Sequence, residues 1–217
     1  KDKIIEFGAV KFDFDGPKET LQFFVKPGFT IPQIITNITN ITNEDLASAK
    51  PFDDHAEEIK NFIGDFPIVG HNIKFDTTFL KSNGIELTND EYDTQELASI
   101  LIPDMPSYSL EILSHKLNLQ HAEKHRALDD SIAAMELFLK LIKEFEQLDS
   151  NFITKIQNLC QKSNWPLKKV LLELKSKNST TKPNSKQIIE KQIQEIPPEN
   201  SIFQEIYCLY LLTKSSR

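Results

Sequence analysis

The 217-residue chain predicts an α/β fold, a mixed sheet flanked by helices, continued by a helical C-terminal extension. Three observations carry that prediction. Two β-rich segments at the start are separated by turn residues, so the fold opens with a hairpin. Short apolar runs then alternate with helical patterns, as crossover connections require. A strong amphipathic helix ends this part near residue 146, and the texture then changes.

The elements follow in order. KIIEFGAVKF (3–12) is β-branched and aromatic and apolar on both faces, which suits an inner strand. DFDGPKE is turn material around Gly16 and Pro17, and TLQFFVKPG is the second strand. ITNITNITN (35–43) is a small tandem repeat. Thr42 followed three residues later by Asp45 predicts a capping box. DDHAEEIKNFIGD predicts a helix with Ala56, Ile59, Phe62 and Ile63 on one face. FPIVGHN is a short buried strand whose end opens at Gly70-His71-Asn72. FDTTFLKSNGI is a helix closed by Asn83-Gly84. EYDTQELASILIP runs from a strand end into a helix that Pro103 stops, and SYSLEILSHKLNL is a helix with Leu110, Leu113 and Leu117 inward. ALDDSIAAMELFLKLIKEF places Ile132, Met135, Phe138, Leu139, Ile142 and Phe145 on one side.

Beyond this lie two short helices around Trp165-Pro166, a polar linker, and the apolar segment SIFQEIYCLYLLTK, which suits a helix or a strand. The expected division is 1–146 as the main domain, 147–177 as a helical extension and 178–190 as a linker. Residues 191–217 are expected to begin a further helical segment or domain.

Composition narrows the function. With 39% apolar residues the chain can build a sizeable core, and no apolar run reaches the length of a membrane span. Cys160 and Cys208 sit in apolar contexts, which fits reduced thiols and a cytoplasmic protein. The net charge of −7 is unevenly spread. Residues 1–146 carry 14 basic against 26 acidic side chains, and the remainder carries 11 against 6. An acidic domain is a poor phosphate binder unless divalent cations bridge its carboxylates to the phosphates.

Two short stretches carry chemistry. In GHNIKFD (70–76), Asp76 opens a helix just after a buried strand. In HRALDD (125–130), Asp129 and Asp130 open the long helix and point about 100° apart. Asp130 shares its side with the small residues Ala127 and Ala134, and His125 lies one turn earlier. Each stretch alone reads better as a helix N-terminus charged for the dipole. His121 and His125 have zinc-pair spacing, but their order, H-A-E-K-H, is not the zincin pattern.

Together, HN-x-x-FD and, some fifty residues on, H-x-A-x-x-D resemble the DnaQ-like 3′–5′ exonucleases of the DEDDh type. DKIIEFGAVKF looks like that family's second strand. IPQIITNITNITNEDLASAKPF looks like its I-P…I-T-G-I-T…A-P segment, with Asn40 at the usual glycine. YDTQELA and SYSLEILSHKLNL are also similar, and the resemblance spans 1–146.

The resemblance implies a ribonuclease H-like sheet and release of nucleoside 5′-monophosphates from a 3′ end. Four carboxylates would hold two Mg²⁺ or Mn²⁺ ions. Asp76 and Asp130 match two of those metal ligands, and His125 matches the general base. His71, Asn72 and Phe75 are expected substrate-side positions. The expected partner is nucleic acid with a free 3′ end, single-stranded DNA favoured, with a fused DinG-type helicase or a polymerase subunit alongside and no membrane.

The family's first motif, D-x-E on the central first strand, is absent from this sequence. The chain is therefore expected to begin inside the domain, to lack the first central strand, and to be inactive alone. The alternatives are an RNA exonuclease similar to ribonuclease T or oligoribonuclease, and a non-catalytic nucleic-acid or interaction module.

Overall fold

The computed structural model describes residues 3–119, 126–174 and the backbone of 206–214. Strands β1 (Lys3–Asp13) and β2 (Gly16–Phe24) pair antiparallel as the predicted hairpin. Helices α1 (Gln33–Thr39) and α2 (Asn43–Ala47) follow, then a 3₁₀ turn at Phe52–His55 leading into α3 (Ala56–Ile63). The chain continues through β3 (Ile68–Gly70), α4 (Ile73–Ser82), β4 (Glu91–Asp93), α5 (Thr94–Leu101), α6 (Leu110–Leu117) and α7 (Ala127–Glu146). Helices α8 (Ser150–Gln161) and α9 (Lys168–Glu173) and strand β5 (Ile206–Lys214) complete it.

Local chemistry explains several boundaries. Asn40 ends α1 in the left-handed conformation, with φ 57°. A glycine is usual at such a position, and Asn is the next most tolerant residue there. Thr42 and Asp45 form the predicted capping box on α2. Asp93 caps α5 and Ser109 caps α6, each through its side-chain oxygen.

The sheet order is β2-β1-β5-β3-β4. β5 runs antiparallel to β1 and parallel to β3, and β4 is parallel to β3. This corrects one expectation. Residues 206–214 do not form a helical segment; they fill the centre of the sheet between β1 and β3. The reason is visible in β1. Ile4, Ile5, Phe7, Ala9, Val10 and Phe12 are all buried, so the strand needs cover on both faces and a partner on both edges.

Helices cover both faces. Val10, Phe12, Val69 and Tyr92 meet α5, α6 and α7 on one face. Phe7, Ala9 and Ile68 meet α3 and α4 on the other. On α7, Leu137, Phe138, Leu141, Ile142 and Phe145 are buried, each side chain contributing about 1.5–3 kcal/mol. The extension packs into this same core through Ile153, Cys160, Leu167, Val170 and Leu171. Trp165 Nε1 ties it to α5 by donating to Glu96 Oε2 at 2.8 Å.

Candidate active site

Strand register sets the site. Val69 of β3 and Val10 of β1 both pair with Cys208 of β5, so they lie level across the sheet. One step further, Gly70 ends β3 at the level of Ala9, next to Gly8. Helix α4 starts just beyond Gly70, and the first turn of α7 presses on Gly8. The two helix N-termini thus meet the sheet at one level, from opposite faces.

The α4 terminus is shaped by a tight turn. Asn72 is left-handed, with φ 61°. A Cβ on Gly70 would lie 2.5 Å from Ile73 Cδ1, so the glycine lets the chain fold back closely. The Asp93 carboxylate accepts from the backbone N–H of Asn72 (3.2 Å) and Ile73 (3.1 Å), and also from Gln95 (2.8 Å) and Glu96 (3.3 Å). One side chain therefore closes the N-termini of α4 and α5 together. Asp76 sits in the first turn of α4 with 3% exposure.

The α7 terminus is held from β1. Glu6, fully buried, accepts from Arg126 Nε (3.2 and 3.3 Å), Arg126 Nη2 (2.9 Å) and the Ala127 N–H (3.0 Å). Arg126 also lies over the Phe24 ring at 5.5 Å. A Cβ on Gly8 would lie 2.3 Å from the Ala127 carbonyl carbon and the Leu128 nitrogen. Only glycine admits this approach. Ser131 Oγ spans the contact, lying 2.9 Å from Gly8 O and 2.8 Å from Ala127 O. Asp130 is 4% exposed, and its N–H donates to Arg126 O at 2.9 Å.

The expected substrate-side residues differ in setting. Phe75 is 53% exposed and tilts against Phe79 at 6.1 Å between centroids. Asn72 is exposed and serves the turn through its backbone. Both His71 ring nitrogens are engaged, Nδ1 with Thr94 Oγ1 (2.9 Å) and Nε2 with Tyr108 O (2.7 Å). A carbonyl only accepts, so Nε2 carries the proton. Burial lowers the His71 pKa below its usual value, partly offset by the Tyr108 bond and the Asp93 charge. His125, the expected base, lies outside the described residues, as does His121.

The donor chemistry of Asp76 and Asp130 suits a hard cation such as Mg²⁺ or Mn²⁺. Its number falls short. Among the described residues no group of three His, Cys, Asp or Glu side chains is placed to hold a metal ion. Residues 206–214, at the sheet centre, include no acidic residue.

Sequence reasoning missed Glu6, Gly8, Asp93 and Ser131. Glu6 did leave a signal, as the one charged residue within the otherwise apolar run 4–10 of β1.

A family model described as exonuclease matches residues 1–138. The 3′–5′ exonuclease DinG of Bacillus subtilis (strain 168) is 32% identical over 165 residues, covering 74% of this chain and 18% of the relative. The PolC-type DNA polymerase III of Clostridium perfringens (strain 13 / Type A) is 33% identical over 189 residues, covering 82% of this chain and 13% of the relative. The chain thus spans under a fifth of either relative's length. Among solved structures, Exonuclease X in complex with 5′ overhanging duplex DNA has a TM-score of 0.53 at 23% identity. It matches over 64% of this chain and 82% of its own. The nuclease domain of 3′hExo, a DEDDh family member bound to rAMP, has a TM-score of 0.59 at 16% identity. It matches over 65% of this chain and 82% of its own. These structures share the ribonuclease H-like fold.

Proposed function

Because the chain belongs to the exonuclease family, we propose that it serves a metal-dependent 3′–5′ exonuclease that removes nucleoside 5′-monophosphates from DNA in replication or repair. One observation carries this reading. Asp76 and Asp130, two nearly buried carboxylates, open two helices that meet the sheet at the same level. A buried carboxylate is stabilised by hydrogen-bond donors, an opposite charge or a bound cation. DNA is favoured over RNA because the PolC-type relatives are named DNA polymerase III.

Bound divalent ions would supply an activated water and stabilise charge on the scissile phosphate. The chain's own residues do the rest. Asp76 and Asp130 would hold the ions through their carboxylate oxygens. His125 accepts a proton from the attacking water, a role suited to imidazole near neutral pH. Phe75 offers an exposed ring on which a terminal base stacks. His71 holds the β3–α4 corner in place through Thr94 and Tyr108.

A second reading is a nucleic-acid module without hydrolysis, favoured by the absence of a D-x-E motif from the sequence. With two of the four metal-ligating carboxylates that the resemblance implies, the 217-residue chain alone is expected to be inactive. The test uses 3′-labelled DNA and RNA strands with the full-length natural protein and with this chain. The proposal expects Mg²⁺- or Mn²⁺-dependent mononucleotide release from DNA by the full-length protein, abolished by a chelator, and none from the chain alone. Binding without release by the full-length protein would favour the module, and preferential release from RNA would move the substrate class.

A further inference from the structure

Glu6 is a buried carboxylate in a strand whose neighbours Ile5, Phe7, Ala9 and Val10 are all apolar. Its oxygens receive Gln22 Nε2 at 2.8 Å from β2 and the three Arg126 and Ala127 donors from α7. Hydrogen bonds to an ionised acceptor are the strong kind, and an arginine fork adds fixed geometry. The contact joins residues 120 positions apart in sequence.

What Glu6 grips lies between the two functional residues of HRALDD. Arg126 follows His125 directly and is the N-cap of α7. Ala127 is the first helical residue, and Asp130 is tied by its N–H to the Arg126 carbonyl. A slip of one residue in the helix start would turn the Asp130 carboxylate by about 100°. We propose that Glu6, acting through Arg126 and the Ala127 N–H, is a positioning residue that fixes the rotation of α7 and so aims Asp130. The inference depends on the exonuclease reading of this site. It also gives Arg126 a role, because the guanidinium is committed to Glu6 and not to substrate phosphate.

The test uses the full-length natural protein with Glu6→Ala, Glu6→Gln, Arg126→Met and the double variant Glu6→Ala/Arg126→Met. Steady-state kinetics are measured on a 3′-labelled DNA strand at saturating Mg²⁺, beside amide hydrogen exchange over residues 127–142. Glu6→Ala and Arg126→Met are each expected to lower kcat by about 10–100-fold with KM within about threefold. The double variant should match the worse single one, because the two side chains act as a unit. Glu6→Gln keeps an acceptor for the Ala127 N–H and should recover part of the loss. The Ala127 amide should exchange faster in Glu6→Ala while residues 134–142 stay protected. An unchanged kcat per folded molecule would overturn the proposal. So would a raised KM in Arg126→Met alone, which marks a phosphate contact. Should Glu6→Ala fail to fold, Glu6→Gln and Arg126→Met carry the comparison. An inactive wild-type protein would refute the exonuclease reading, and the exchange at Ala127 would still decide whether Glu6 holds the turn.

Discussion

Asp93 closes two helices with one carboxylate, so its loss frees four backbone N–H groups at two N-termini. Asp93→Ala is expected to cost about 1–3 kcal/mol in denaturant unfolding, and Asp93→Asn less, since an amide oxygen still caps. A cost for Asp93→Ala no larger than an exposed substitution would contradict the double cap. His71 gives a pH signature. Burial lowers its folded pKa below the usual 6.5, so the folded state prefers the neutral ring. Between that lowered value and 6.5 the unfolded chain binds more protons, and stability rises with pH. The contribution is complete above 6.5 and is lost as pH falls through the folded pKa. Replacing His71 by Gln should flatten the stability curve in that window, and an identical slope in both proteins would remove His71 as its source. At this scale Asp76, Asp130 and His71 were legible because their motifs are local. Glu6 and the second cap that Asp93 makes, on α4, were not, because their partners lie 120 and about 20 positions away and no spacing rule links them.

The contact between β1 and α7 is the element on which the site is built. Its surface is Gly8 against Ala127 and Leu128, with Ser131 spanning the two backbones. Gly8→Ala would push a methyl group onto main-chain atoms that cannot rotate away. The expected cost reaches or exceeds about 3 kcal/mol, or α7 shifts as a body. Denaturant unfolding checks it, and a neutral outcome would mean the two elements are not in this contact. The helices were readable from their apolar periodicity, and the close approach was not. A glycine in a strand reads as weakness or a bulge until the element packed on it is known. The extra helix α1, bounded by Pro32 and Asn40, was hidden in ITNITNITN because β-branched residues of low helix propensity dominate there.

The whole molecule depends on its centre. β5 pairs with β1 along nine positions and with β3 at two, so it joins the hairpin to the parallel half of the sheet. Cys208 pairs to both sides. Proline there removes a ladder donor in a strand flanked on both edges, and Cys208→Pro should cost about 3 kcal/mol or more. A thermal transition unchanged by Cys208→Pro would show that the sheet holds without β5. The helical extension shares its core with α7 and α5 through Ile153, Leu167 and Val170. The fold class was legible at this scale because hairpin and alternation set it. The strand at 206–214 was not, since a short apolar run serves helix and strand equally until a neighbour with open edges decides.

The central claim is that Asp76 and Asp130, brought to one level of the sheet by two different helices, work in a single hydrolytic site. The most direct measurement is kcat/KM for mononucleotide release from a 3′-labelled DNA strand by the full-length natural protein carrying Asp76→Asn, Asp130→Asn or both. Each single substitution is expected to lower the rate at least about 100-fold, and the double no further than the worse single, as for residues that act as a unit. Losses that multiply, or a silent substitution at either aspartate, would contradict it.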